Sequence, residues 1–359
     1  MRTATLAALA ALMSAGAVQA LAPHTATFDA KNELKVLVPA GAHKVRIWFA
    51  LPQDTREEGV SRLKIESPGT HRFVRDAHED NCILYVQVDD PKDHELHVAS
   101  TFRVHRAESL NSTDPARTRP LTAREQRRFA RYLQANKFVI IDDRIRKIVA
   151  DVVGAEKNPV VIAHKLYDWV LKYADYWVKD PAHCKASTTG STEHCLATRT
   201  GNCTDFHSLW TSLARAAGVP TRMVYGSLFK QELDGKDTDQ SYHCWPEFWA
   251  PELGWIPHDV ALADIYDGDI KIDDKNRTLV NRTTPSGYTA PDAAKVAYYF
   301  GNLDERRVTW TVGRDLDLSP YAANGPVNAL PKAYVEVDGK PLAEGATGWT
   351  RKLTFTEVH

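Results

Sequence analysis

The stretch that decides the fold runs from residue 199 to residue 220 and reads RTGNCTDFHSLWTSLARAAGVP. Asn202 is a favoured N-cap residue, and Gly218 and Pro220 are typical of a helix end. Between them lies an apolar stripe at helical spacing, formed by Phe206, Leu209, Leu213 and Ala216. The sequence therefore predicts a helix that begins at or just before Cys203.

A thiol at the start of a helix has distinctive chemistry. The free backbone N–H groups and the positive end of the helix dipole favour a thiolate there. The pKa of such a thiol falls below the free value of about 8.5. The same N–H groups can bind an oxyanion. A structural buried thiol fits Cys203 equally well unless a base lies nearby, so the sequence downstream decides between the two interpretations.

A predicted β-hairpin supplies that base. Tyr242–Trp249 (YHCWPEFW) is aromatic and strand-like, and Trp255–Val260 (WIPHDV) is the return strand after a turn. If the tryptophans at the turn face each other, His243 and Asp259 are diagonal neighbours on one face of the hairpin. Diagonal neighbours lie within side-chain reach. The hairpin therefore predicts an imidazole–carboxylate pair.

Cys203, His243 and Asp259 together suit acyl transfer. The thiol would attack a carbonyl, and the imidazole would take its proton and later protonate the leaving amine. The carboxylate would hold the imidazole in one tautomer and stabilise its cation. His207, one helical turn after the thiol, is another candidate base, but the sequence gives it no obvious acidic partner. A histidine on an aromatic strand is more often a core residue, and only its occurrence with the other two favours catalysis.

The helix and the hairpin resemble the core of the transglutaminase-like superfamily over about residues 160–262. The residues that carry the resemblance are Cys203, Arg215, Gly218, Pro220, His243, Trp245, Glu247, Trp255, Pro257 and Asp259. The resemblance implies an α+β, papain-like fold in which a cysteine-bearing helix packs on an antiparallel sheet that carries the histidine and the aspartate. It implies a catalytic triad of Cys203, His243 and Asp259.

The resemblance also implies roles for residues around the triad. A second oxyanion donor is expected upstream of the nucleophile, and Tyr176 and Trp177 are the nearest candidates. Asp205, Glu247 and Trp245 are expected to support the triad. For the two carboxylates, helix capping and ordinary ion pairing remain open as alternatives.

Three further regions surround the catalytic core, which is assigned to residues 158–300. Residues 21–108 alternate apolar and polar positions between turn residues, which indicates an antiparallel β-sandwich. Residues 109–157 are a predicted helical linker, in which Thr122–Glu125 forms a capping box. Residues 301–359 are predicted to form a small β-extension packed on the core.

Residues 1–20 have the pattern of a signal peptide. Arg2 precedes an apolar run, and Val18–Ala20 fits a cleavage site. We therefore expect an exported protein, periplasmic or secreted, with no stable membrane span after cleavage; an uncleaved anchor is the alternative. Export permits disulfides, and Cys184 and Cys195, which flank a polar loop, are the predicted pair.

The composition excludes some functions. The chain has 359 residues, with 45 basic and 46 acidic side chains, and 43% are hydrophobic. This balance is typical of a globular protein and argues against a nucleic-acid partner. We expect a protein or peptide substrate, with the cell envelope as one source. Cysteines and histidines are numerous, but no Cys-x-x-Cys or His-Glu-x-x-His spacing occurs, so no metal or other cofactor is expected.

Hydrolysis of a peptide or amide bond through a thioester is the favoured function. Protein-glutamine cross-linking is the alternative acyl transfer, and it requires a site that excludes water. A non-enzymatic binding or scaffold protein that retains the fold is a further alternative, against which the intact triad argues.

Overall fold

A computed structural model describes residues 22–268, 270 and 276–359, so the predicted signal peptide lies outside the described residues. The strands are β1 (Thr25–Leu37), β2 (Lys44–Ala50), β3 (Glu58–Glu66), β4 (Thr70–Arg75), β5 (Cys82–Asp89), β6 (Glu95–Ala107), β7 (Asp175–Tyr176), β8 (Thr200–Gly201), β9 (Thr221–Leu228), β10 (Tyr242–Ala250), β11 (Gly254–Pro257), β12 (Arg307–Val312), β13 (Ala333–Val337), β14 (Lys340–Pro341) and β15 (Trp349–Glu357). The α-helices are α1 (Ala123–Arg128), α2 (Asp143–Val153), α3 (Pro159–Tyr173), α4 (Thr192–Thr198), α5 (Cys203–Ala216), α6 (Val260–Tyr266), α7 (Arg277–Thr283) and α8 (Ala293–Tyr298). Within the described ranges, every helix is too short or too polar to span a bilayer.

Two antiparallel sheets form a β-sandwich from the N-terminal region. Their strand orders are β15-β1-β6-β3 and β14-β13-β2-β5-β4. Alternate residues of β1 and β6 are buried, as the period-2 pattern predicts. Leu34, Ile47 and Val98 are examples of the apolar side chains that fill the sandwich interior.

The C-terminal strands complete this sandwich, which corrects the prediction of a small extension packed on the core. β15 pairs with β1 from Phe28↔Glu357 to Val36↔Trp349, and β13 pairs with β2. A two-residue turn at Asp338–Gly339, a favoured hairpin sequence, joins β13 to β14, and both of its residues have positive φ. Without these strands β1 and β2 would be open sheet edges, so residues distant in sequence cover them.

The catalytic core is a second layer, in which α5 packs on the antiparallel sheet β11-β10-β9-β12. Every residue of α5 from Cys203 to Arg215 is buried, because α3, α4 and α6 surround the helix and β10 lies against it. The helix begins at the predicted residue, with Asn202 as its N-cap. The α+β fold expected from the sequence is therefore confirmed.

The segment before α5 differs from the prediction. A polar loop was expected between Cys184 and Cys195, but α4 begins within it, with Ser191 as its N-cap. The helix turns Cys195 into the core, where it is fully buried, whereas Cys184 is half-buried in the preceding loop and both are free thiols. The predicted Cys184–Cys195 disulfide is therefore wrong.

A buried ion pair joins the sandwich to the core sheet. Glu58 of β3 and Arg106 of β6 are both buried, with Nη1 of the arginine 2.7 Å from Oε2 of the glutamate. Both oxygens of the same carboxylate lie 3.1 Å from the backbone nitrogen of Thr309 in β12. One carboxylate therefore holds a sandwich strand and a core strand together.

We expect Glu58→Ala to lower the free energy of unfolding by about 3–5 kcal/mol, because Arg106 would remain as an uncompensated buried charge. Arg103→Ala is the matched control, since Arg103 lies on the same strand but pairs with Asp29 at a more exposed position. Its loss should cost about 0–1 kcal/mol. Urea denaturation measures both values, and equal losses would contradict this role of Glu58.

Candidate active site

The start of α5 carries the candidate nucleophile. The Asn202 side chain accepts a hydrogen bond from the backbone N–H of Asp205 (3.1 Å), and the Asp205 carboxylate accepts one from the N–H of Asn202 (3.0 Å). Gly201 makes this capping box possible, because a Cβ there would lie 2.4 Å from Cβ of Asp205. Cys203 follows directly and is only 3% exposed. Its thiol thus occupies the first turn of the helix.

His243 and Asp259 meet beside this helix start. Nε2 of His243 lies 2.7 Å from Oδ2 of Asp259, and both side chains are buried. The hairpin forms in the predicted register. However, β11 ends at Pro257, and Asp259 is the N-cap of α6, where it accepts a bond from Leu262 N–H (3.1 Å). The carboxylate therefore comes from a helix cap beyond the hairpin, and not from the return strand.

The charges of the three groups are coupled. Because Asp259 occupies Nε2, the Nδ1 atom of His243 remains for the thiol. Burial lowers the pKa of His243, but the charges of Asp259 and Cys203 outweigh burial and raise it to about 9. A hydrogen bond with the Cys244 thiol and the charge of His243 hold the pKa of Cys203 well below its usual range. These two shifts favour a thiolate and an imidazolium as the resting pair at neutral pH.

Two further side chains contact Asp259, and the sequence predicted neither contact. Nη1 of Arg307 lies 2.8 Å from Oδ2, and Nε2 of His207 lies 3.4 Å from Oδ1. His207 therefore has an acidic partner, which the sequence did not reveal. Burial opposes ionisation of Asp259, but the charges of His243 and Arg307 hold the pKa of Asp259 well below its usual range. Arg307 also pairs with Asp304 (2.9 Å).

Tyr176 is the oxyanion candidate that reaches the nucleophile. β7 runs parallel to β8 with Tyr176 opposite Gly201, which places the Tyr176 hydroxyl 3.2 Å from the backbone nitrogen of Cys203. The hydroxyl accepts this bond. Trp177 lies in the following short 3-10 turn and is partly buried against the hydrophobic core. Among the described residues, Tyr176 and not Trp177 has a hydrogen bond to Cys203.

Asp205 fixes the segment that precedes the helix. Its carboxylate accepts bonds from the backbone nitrogens of Ser187 (3.0 Å) and Ser191 (2.7 Å), besides the capping bond from Asn202. The side chain is fully buried. These contacts are typical of a helix cap. Asp205 therefore caps α5 and also anchors residues 187–191 to the start of the helix.

The other two expected supports have different surroundings. Glu247 pairs with Arg222 (2.6 Å), which is an ordinary ion pair. The ring of Trp245 packs under the guanidinium of Arg307, 5.1 Å from the ring centroid. Trp245 thus touches the arginine that binds Asp259.

Residues 146–260 match the family model of the transglutaminase-like superfamily core. This segment is a transglutaminase-like domain. It contains Cys203, His243 and Asp259, so the resemblance predicted from the sequence is confirmed at the level of the family. The match ends before β12, and Arg307 therefore lies outside it.

Two kinds of comparison, with a curated protein and with solved structures, extend over a longer stretch of the chain. An uncharacterized protein of Haemophilus influenzae is 29% identical over 231 residues, which are 59% of this chain and 58% of that protein. The chain thus spans little more than half the length of this curated relative. A crystal structure from Cytophaga hutchinsonii, of a candidate cysteine protease, aligns over 93% of this chain and 98% of that chain, with 15% identity and a TM-score of 0.53. This likeness shows the shared fold. The periplasmic domain of TgpA from Pseudomonas aeruginosa aligns over 69% of this chain and 91% of that domain, with 17% identity and a TM-score of 0.36.

A cleft of about 620 Å³ lies beside the nucleophile of the transglutaminase-like domain. Its lining includes Asn202 and Thr204, which flank Cys203, and Tyr242, which precedes His243. The opposite wall comes from residues 324–334 of the C-terminal region. Hydroxyl and amide groups line part of the cleft, and the charged residues in its lining are Asp239, Lys332 and Glu344, of which Lys332 pairs with both carboxylates.

We expect the rate at which iodoacetamide alkylates Cys203 to stay nearly constant between about pH 6.5 and 8.5, because its sulfur is already ionised. Burial raises the pKa of Cys82, so that thiol should instead react roughly tenfold faster per pH unit. His243→Gln should give Cys203 the same pH dependence as Cys82. Site-resolved mass spectrometry measures these rates, and a steep rise at Cys203 in the wild type would refute the ion pair.

Proposed function

We propose that this protein is a cysteine-dependent acyl-transfer enzyme that hydrolyses a peptide or amide bond through a thioester. The observation that carries the proposal is the buried set of Cys203, His243 and Asp259 at a helix N-terminus, with 2.7 Å between imidazole and carboxylate. The open cleft beside the thiol supports access by a substrate chain.

The first step is attack of the Cys203 thiolate on the substrate carbonyl. The sulfur–carbon bond forms while the carbonyl π electrons move onto oxygen, which gives a tetrahedral oxyanion. The backbone N–H of Cys203, which donates to the Tyr176 hydroxyl at rest, would turn to that oxyanion as it forms. Tyr176 is proposed as the second donor, because its hydroxyl accepts the 3.2 Å bond from that N–H and keeps its own proton to donate.

The imidazolium of His243 then serves as the acid. It protonates the leaving amine as the carbon–nitrogen bond breaks, which leaves an acyl thioester on Cys203 and a neutral imidazole. The imidazole next takes a proton from water, which attacks the thioester and restores the thiolate. Asp259 keeps Nε2 occupied throughout, so that Nδ1 faces the reacting groups.

The lining of the cleft favours water over an amine as the acyl acceptor. Ser187, Asn202, Thr204 and Gln240 offer polar side chains to the space near the thiol, so water has hydrogen-bonding partners there. A cross-linking enzyme needs a site from which water is excluded. We therefore propose hydrolysis of a protein or peptide in the compartment to which residues 1–20 would direct the chain, the periplasm or the exterior.

The test is incubation of the protein with peptides from a casein digest and from the envelope of the producing cells. Release of new amino groups should occur with the wild type and with the control Cys82→Ala, and should fall by roughly three orders of magnitude in Cys203→Ala and His243→Ala. An intact mass that begins at residue 21 in protein recovered from cells would agree with a cleaved signal peptide, and a mass that includes Met1 would contradict the cleavage.

Two other outcomes would redirect the proposal. Ammonia release that requires an added primary amine, with incorporation of that amine, would identify cross-linking instead of hydrolysis. A folded wild type that forms no product or covalent acyl adduct with either peptide set would favour a binding or scaffold protein.

A further inference from the structure

A second buried thiol lies at the nucleophile and has no part in the proposed reaction. Cys244 is fully buried on β10, and its sulfur donates to Oγ1 of Thr204 at 3.4 Å. The same Oγ1 atom is 3.9 Å from the sulfur of Cys203. The sulfurs of both cysteines thus lie within hydrogen-bonding distance of one hydroxyl, Oγ1 of Thr204. All five cysteines are described, and all are free.

We propose that Cys203 and Cys244 form a site of reversible oxidation, in which Cys244 resolves an oxidised nucleophile as a disulfide and a small hydroperoxide such as hydrogen peroxide is the oxidant. The proposal concerns the thiols alone and does not rest on the acyl-transfer activity. Its effect on that activity would be to block the nucleophile while protecting it from irreversible oxidation.

The first chemical step consumes the peroxide. The Cys203 thiolate attacks one oxygen of hydrogen peroxide, the O–O bond breaks, and the sulfur is oxidised to a sulfenic acid. The departing hydroxide takes the proton of the His243 imidazolium and becomes water. The charge of Cys203 helps to raise the pKa of His243, so an imidazolium beside the sulfur can supply this proton.

The second step forms the disulfide. The sulfur of Cys244 attacks the sulfenic sulfur of Cys203, the S–O bond breaks, and the hydroxide leaves as water with the proton of Cys244. Nδ1 of His207 is 3.5 Å from the Cys244 sulfur, and it can take that proton in the tautomer whose Nε2–H faces Asp259. In total, two thiols and one hydrogen peroxide give one disulfide and two waters.

The surroundings assign different roles to the two thiols. Cys203 borders the cleft through its neighbours Asn202 and Thr204, so a small peroxide can reach it. Burial, together with the hydrogen bond to Cys203, raises the pKa of Cys244 well above the usual range, so this thiol does not compete for the oxidant. Cys195 is also buried, but it lies on α4, away from β10, and therefore provides a matched control.

The test treats the wild type, Cys244→Ala and Cys195→Ala with one equivalent of hydrogen peroxide, followed by non-reducing peptide mass spectrometry. The wild type and Cys195→Ala should lose two hydrogen atoms, yield a peptide pair linked through Cys203 and Cys244, and return to the starting mass with dithiothreitol. Cys244→Ala should instead carry oxygen on Cys203, react with dimedone and progress to the sulfinic acid.

Either of two results would overturn the proposal. One is a wild type that accumulates the same dimedone-reactive and sulfinic forms as Cys244→Ala, without the linked peptides. The other is a disulfide from Cys203 to a different cysteine. The wild-type result decides the matter even if Cys244→Ala fails to fold. The experiment measures mass and not activity. A protein that forms the Cys203–Cys244 disulfide but has no hydrolytic activity would therefore contradict the proposed function and leave this inference intact.

Discussion

The buried carboxylate of Asp259 is the interaction on which the site depends. An unpaired anion in a protein interior costs several kcal/mol, and it persists only where donors surround it. Here Nε2 of His243 and Nη1 of Arg307 share one oxygen, at 2.7 and 2.8 Å, while the N–H of Leu262 binds the other. The same contacts that stabilise the anion also orient the imidazole with Nδ1 toward the thiol. One set of interactions therefore contributes both to folding stability and to the geometry of the candidate site.

This requirement ties the catalytic core to the rest of the chain. Arg307 begins β12, outside the segment that matches the family model, and Thr309 of the same strand is held by Glu58 of the sandwich. The C-terminal strands β13 and β15 in turn complete the two sandwich sheets. The sandwich therefore helps to position β12, and β12 places the guanidinium of Arg307 against Asp259.

Local signals were sufficient for the helix start and the hairpin. Asn202 caps α5 where its residue type predicts, and the facing tryptophans Trp249 and Trp255 set the register of β10 and β11. Arg307 could not be predicted in the same way, because no spacing links it to Asp259 and only the packing of β12 beside β9 brings it close. The contact between His207 and Asp259 was missed for a related reason, since the carboxylate had been placed in the return strand and not at the cap of α6.

Nitrogen-15 NMR of the histidine side chains tests the central claim most directly. The account predicts that His243 is an imidazolium in the wild type at neutral pH and loses its proton only near pH 9, as the charges of Asp259 and Cys203 require. Cys203→Ala, which removes the thiolate, should lower that titration point. A wild-type His243 that is already a neutral imidazole at neutral pH would contradict the ion pair, and with it the assignment of Cys203 as an activated nucleophile.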